Sequence, residues 1–223
     1  EAISLLRQAI GIHPDYAEAH AALATSYNLA QRYSVMSPWE AFPKAERAAR
    51  KAIGLNPGLD LAQSALAFVE YRWHWDVDAS LARFEETLRR NPGSANTLFW
   101  YANVLLFLDR AGEALRLATR AQELDPDSSA IRTFRAHALF FAGRTEESVE
   151  LLEEIMARDP GYAWPHYTMH FIRLAQEDYR GYLRSYAAFG DLIGLSRYRA
   201  VAEAGEAALD RAGVEAMAEA MAA

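Results

Sequence analysis

The sequence predicts an all-α fold made of stacked helix pairs, and three observations carry that prediction. Closing dipeptides recur along the chain: Asn56-Pro57, Asn91-Pro92, Asp125-Pro126 and Asp159-Pro160, with His13-Pro14 as a variant. Pro92, Pro126 and Pro160 stand 34 residues apart, Pro57 and Pro92 stand 35 apart, and Pro14 and Pro57 stand 43 apart. Small residues recur at helical spacing before each proline, so every interval reads as two short helices joined by a turn. A fixed period of this length marks an architecture in which each unit buries its apolar face against the next.

The clearest unit is residues 95–126, two helices separated at Asp109-Arg110-Ala111-Gly112 and closed by Asp125-Pro126. Residues 1–10 match the second helix of such a unit, with Ala2, Leu6, Ala9 and Pro14 at the corresponding offsets. Opening without Met and inside a helix, the sequence reads as a piece of a longer protein. Residues 17–57 form a unit with nine extra residues, inserted between Tyr27 and Ala45. Ser37-Pro38-Trp39-Glu40 has the form of a capping box with proline at the first helical position, so a helix is expected to begin at or next to Pro38.

In residues 60–92 the first helix carries Leu66 and Ala67, and the second carries Ser80, Phe84 and Thr87. Between them, Trp73 and Trp75 are expected to plug the turn, and Asp76 or Asp78 to cap the next helix. Residues 129–160 place Ala136, Leu139, Ser148, Leu152 and Ile155 in the core. Arg135 stands where the repeat normally has Leu, so it must reach solvent or a carboxylate. From Ala163 the pattern loosens: His170 replaces a small residue, Arg173 replaces Tyr or Leu, and Gly194 stands in place of proline. Residues 196–211 read as a helix, and Val214, Met217 and Met221 as one apolar stripe on another. The expected organisation is a repeat array over 1–194, a half repeat plus five repeats, and a helix pair over 195–223.

Over nearly the whole chain these repeats resemble tetratricopeptide repeats. The resemblance implies a right-handed α–α superhelix whose first helices line a concave face. On those helices, the candidate binding residues are Phe68, Tyr71, Phe99, Asn103, His137, Trp164, Tyr167 and Phe171. Two readings stay open: a semi-apolar groove for a peptide or small ligand, or core aromatics, covered in one version by the terminal helix.

A narrower resemblance lies in residues 37–45, in Trp73-His74-Trp75-Asp76 and in Leu124-Asp125-Pro126-Asp127-Ser128. These are similar to the repeat region of bacterial CadC-like winged-helix transcriptional activators and related adenylate cyclase or kinase signalling proteins. That similarity implies a sensory or docking module with a protein or peptide partner, on the cytoplasmic or periplasmic side of a bacterial regulator. A small-molecule receptor and a structural assembly scaffold are the alternatives. The carboxylate clamp of Hsp70- and Hsp90-binding repeats needs Lys, Asn and Arg where this chain has mainly aromatics.

Other classes find little support. The net charge is −7 with dispersed basic residues, which disfavours nucleic acid. Cysteine is absent, which removes disulfides and thiolate zinc sites. No apolar run approaches the ~18 residues needed to span a membrane. His166 and His170 have zinc-ligand spacing, but Tyr167 follows the first and no third ligand is apparent, so packing is the expected role and no metal or cofactor is assigned. Adjacent acidic pairs such as Glu85-Glu86 and Glu153-Glu154 do not face one another on a helix. No catalytic constellation emerges, and the expectation is a protein that is not an enzyme.

Overall fold

The computed structural model describes residues 2–32 and 36–222, with the side chain of Arg32 excepted, and residues 33–35 of the insertion lie outside that description. Thirteen α-helices and no strands are found among the described residues. They fall into two compact units, Glu1–Leu124 and Asp125–Ala223.

The first unit holds α1 (Ala2–Ile12), α2 (Ala17–Arg32), α3 (Pro38–Leu55), α4 (Asp60–Arg72), α5 (Val77–Arg90), α6 (Ala95–Phe107) and α7 (Ala111–Leu124). Helices α2 and α3, α4 and α5, and α6 and α7 pair, while α2, α4 and α6 stack in succession. Layering explains composition. With neighbours on several sides, α4 is buried at every position from Ala62 to Tyr71. The outer helices bury one stripe each: Ser80, Phe84 and Thr87 on α5, and Ala114, Ala118 and Ala121 on α7. Those i, i+4, i+7 positions are the small-residue pattern of the sequence, and they turn one helical face inward.

Helix α3 begins at Pro38, as the capping signature predicts. Ser37 makes no side-chain cap, however. Its carbonyl accepts from the Glu40 and Ala41 amides, and the proline at the first position needs no amide partner. The turn plug is only half as expected. Trp73 meets Trp39 edge-on at 5.0 Å and stacks on Phe42 at 5.7 Å, whereas Trp75 is 74% exposed.

The second unit holds α8 (Ser129–Phe141), α9 (Thr145–Arg158), α10 (Trp164–Ala175), α11 (Tyr179–Leu192), α12 (Arg197–Ala212) and α13 (Val214–Ala222). It repeats the scheme: α8 pairs with α9, α10 with α11 and α12 with α13, and α10 packs on α8 and α9. Met217 of α13 joins Leu183 of α11 and Ala202 of α12 in one buried cluster, with Met221 packed against it. Val214, expected on the same stripe, is 39% exposed.

In four of the pairs, from α4–α5 to α10–α11, the first helix is followed by a left-handed residue: Trp75, Asp109, Gly143 and Glu177, with φ of 57°, 60°, 78° and 58°. These numbers step by 34 each time. At three of them the amide that follows reaches back five residues: Arg110 to Leu105, Arg144 to Leu139 and Asp178 to Arg173, each at 2.9 Å. That closure satisfies carbonyls that the helix end would orphan. Side chains cap the starts: Asp76 accepts from Ala79 N–H at 3.0 Å, and Asp178 from Gly181 N–H at 2.8 Å.

The irregular charges find partners. Arg135 lies close enough to Glu147 to reinforce the hydrogen bond from Arg144 that holds that carboxyl below its ordinary range. One turn earlier, the buried Arg132 reaches Glu154 at 2.7 Å.

Candidate functional site

In the first unit, stacking has closed over three of the candidate residues. Phe68 is 2% exposed and meets Trp100 edge-on at 4.8 Å. Tyr71 is 6% exposed and stacks on Phe107 at 6.3 Å. Asn103 is 1% exposed, and its Nδ2 donates to the Phe99 carbonyl at 2.9 Å. These three belong to the packed interior of α4 and α6, where rings of α6 lie over Phe68 and Tyr71 of α4. Their assignment to an open binding face is corrected accordingly. Phe99 stays half-buried, edge-on to Trp100 at 5.5 Å.

The second unit keeps its candidates nearer the surface. His137 on α8, and Trp164 and Tyr167 on α10, are half-buried, and Phe171 on α10 is exposed. Tyr167 meets Trp164 at 5.5 Å and Phe171 at 5.2 Å, in both cases edge-on. His137 lies 4.9 Å from Phe141, itself an exposed ring at the end of α8. Spacing of three and four residues along α10 puts Trp164, Tyr167 and Phe171 on one face, and α8 packs beside it.

Beneath this face sits His170, with Phe171 at 4.1 Å, Tyr167 at 5.0 Å, Tyr182 at 5.8 Å and Tyr186 at 6.1 Å between ring centres. Burial among these rings pushes its imidazole down to about 4, and burial also lowers His166. Both are therefore neutral near pH 7. No group of three or more metal-ligating side chains occurs among the described residues. Sequence reasoning passed over the supporting aromatics of α11. Tyr182, Tyr186 and Phe189 recur at helical spacing facing α10, and that period is the signal that reveals them.

Helices α8 and α10 combine basic and imidazole side chains without carboxylates of their own. Neither carries an Asp or Glu, while they hold Arg132, Arg135 and Arg173 and the three histidines His137, His166 and His170. Carboxylates come from neighbours: Glu154 to Arg132, and Asp178 to Arg173 at 3.7 Å. The face thus offers aromatic area with imidazole and guanidinium groups at its margins. Helix α13 packs on α12 and against Leu183 of α11. No helix among the described residues is long and apolar enough to cross a membrane.

A family model for the tetratricopeptide repeat matches residues 76–138 and 108–168. The TPR repeat-containing thioredoxin TTL4 of Arabidopsis thaliana is 37% identical over 78 residues, which is 34% of this chain and only 11% of that protein. Among solved structures, TTC0263, a thermophilic TPR protein of Thermus thermophilus, is 16% identical with a TM-score of 0.66, over 82% of this chain and 97% of its own. YrrB, a TPR protein with an unusual peptide-binding site, is 20% identical with a TM-score of 0.51, over 89% of this chain and 97% of its own. The molecule is a helical-repeat protein. Its fold is the tetratricopeptide-repeat fold, and residues 76–168 match the tetratricopeptide-repeat model.

Proposed function

We propose that this chain is a non-catalytic docking module that binds a protein or peptide partner on the aromatic face of α8 and α10. The observation that carries the reading is the run Trp164, Tyr167 and Phe171 on one face of α10, half-buried or exposed, with the half-buried His137 on the adjacent α8, whereas Phe68, Tyr71 and Asn103 of the first unit are interior. Aromatic rings supply large contact area at small side-chain entropy cost, and binding energy concentrates in them. His137 and His166 supply polar contacts that fix a ligand's orientation. The peptide-binding site named for YrrB supports the same kind of use on a related fold.

The wider setting we infer is a larger bacterial signalling or transcription-regulatory protein, on the strength of the similarity of residues 37–45 and 73–76 to such regulators. Selection of peptides from a displayed library on the full chain tests the docking role. Selected peptides are expected to bind Tyr167→Ala and Phe171→Ala at least about tenfold more weakly, as loss of a hot-spot aromatic does. Peptides that bind both variants as well as the parent would refute the assignment.

A further inference from the structure

The unit Glu1–Leu124 carries a separate aromatic feature at the ends of its helices. Trp39 is 79% exposed, Trp75 74% and Phe107 56%, among the most open large apolar side chains of the molecule. Trp39 lies in the first turn of α3, Trp75 in the turn from α4 to α5, and Phe107 at the last position of α6. The segment 71–75 ties them together. Trp73 meets Trp39 at 5.0 Å, Tyr71 stacks on Phe107 at 6.3 Å, and the Arg72 guanidinium lies 5.4 Å over the Phe107 ring.

Trp75 is the telling residue. Its φ of 57° is a conformation that bulky L residues avoid, and its ring is in solvent, so neither backbone preference nor packing accounts for an indole there. The left-handed turn itself recurs at Asp109, Gly143 and Glu177, so it is the exposed indole on it that is unexplained, and tryptophan is among the side chains enriched at binding hot spots. The surroundings are acidic. Glu40 beside Trp39, Asp76 and Asp78 after Trp75, and Asp109 after Phe107 are all exposed. Of the nearby cations, Lys44 is paired with Glu40, Arg110 with Glu113 and His74 with Glu46, and Arg72 lies over Phe107. Asp76 caps Ala79, which leaves Asp78 and Asp109 as the carboxylates without a partner among the described residues.

Indoles rimmed by carboxylates suit a guanidinium or ammonium group, which gains both from the ring face and from the opposite charge. We propose that this ridge docks a basic, Arg- or Lys-bearing peptide segment of a protein partner. A bilayer surface fits less well, because anionic lipid would face these carboxylates in a chain of net charge −7. The proposal stands on the first unit alone and does not need the α8–α10 face.

Fluorescence polarisation of the dye-labelled peptide (Arg-Pro-Leu)4, capped at both ends, tests it with the full chain. The peptide is expected to bind, and Trp75→Gly and Trp39→Ala to weaken it at least about tenfold. Trp75→Gly suits the left-handed turn, so its thermal midpoint should not fall. Four results would overturn the proposal: no binding; equal binding by the matched (Glu-Pro-Leu)4 peptide; parental affinity in both variants; or Trp75-dependent binding to phosphatidylcholine–phosphatidylserine vesicles in its place. Self-association abolished by Trp39→Ala, with no peptide binding, would assign the ridge to a second copy and overturn it as well.

Discussion

Gly190 and Tyr198 approach so closely that a β-carbon on Gly190 would stand 2.0 Å from Tyr198 Cβ. The contact seats α11 against α12, and it admits no side chain because the opposing atom is the root of a residue rather than a flexible tip. Gly190→Ala must therefore push the helices apart. Overpacking of this kind costs about 1–3 kcal/mol, and the upper end is expected here. Urea unfolding followed by circular dichroism measures the loss.

The left-handed turn residues give a paired prediction. Gly143 has open space around its missing side chain, so Gly143→Ala should cost about 1 kcal/mol through backbone conformation alone. At the equivalent position Glu177 bears that conformational cost already, and Glu177→Gly should be neutral or stabilising by a few tenths to about 1 kcal/mol. Thermal midpoints moving in opposite directions bear this out; a loss at both positions contradicts it.

Leu66, Leu139 and Leu152 are buried to 2% exposure or less. Truncation of any one to alanine should cost about 2–5 kcal/mol. Because stacked repeats couple chiefly to their neighbours, hydrogen exchange should quicken first around the substituted pair. Uniform quickening along the chain would contradict that picture.

Much of the fold is legible in the sequence because its signals are local. Pro38 starts α3, the closing prolines bound α7 and α9, and the stripes of α5 and α7 are readable as helical period. The candidate face is legible only in part. Phe68, Tyr71 and Asn103 lie on first helices like Tyr167 and Phe171, but whether such a residue is covered depends on how the neighbouring helix lies. Periodicity along one helix does not report that. Trp75 reads as a plug in the sequence because its neighbour Trp73 is one; the left-handed backbone that turns the second indole outward carries no glycine to announce it.

His170 makes stability depend on acid. Its folded-state value is depressed to about 4 by burial, against an ordinary 6.5. Above pH 6.5 the imidazole is neutral whether folded or unfolded, and its contribution is fully present. As pH falls from 6.5 towards 4, the unfolded chain takes up the proton and the folded chain does not, so stability drops, in total on the order of 3 kcal/mol. His166, lowered by burial as well, adds in the same direction. Carboxylates held low by arginine, such as Glu147 and Asp191, act only below their own ordinary range. Urea midpoints measured from pH 7.5 to 4.5 should fall for the parent and fall less for His170→Gln.

The docking face of α8 and α10 is tested most directly by hydrogen exchange of the full chain with and without a library-selected peptide. Amides at a bound face are expected to slow on α8 and α10, around His137, Tyr167 and Phe171, while the outer stripes of α5 and α7 stay unchanged. Protection confined to other helices, with α8 and α10 exchanging as in the free chain, would contradict the assignment.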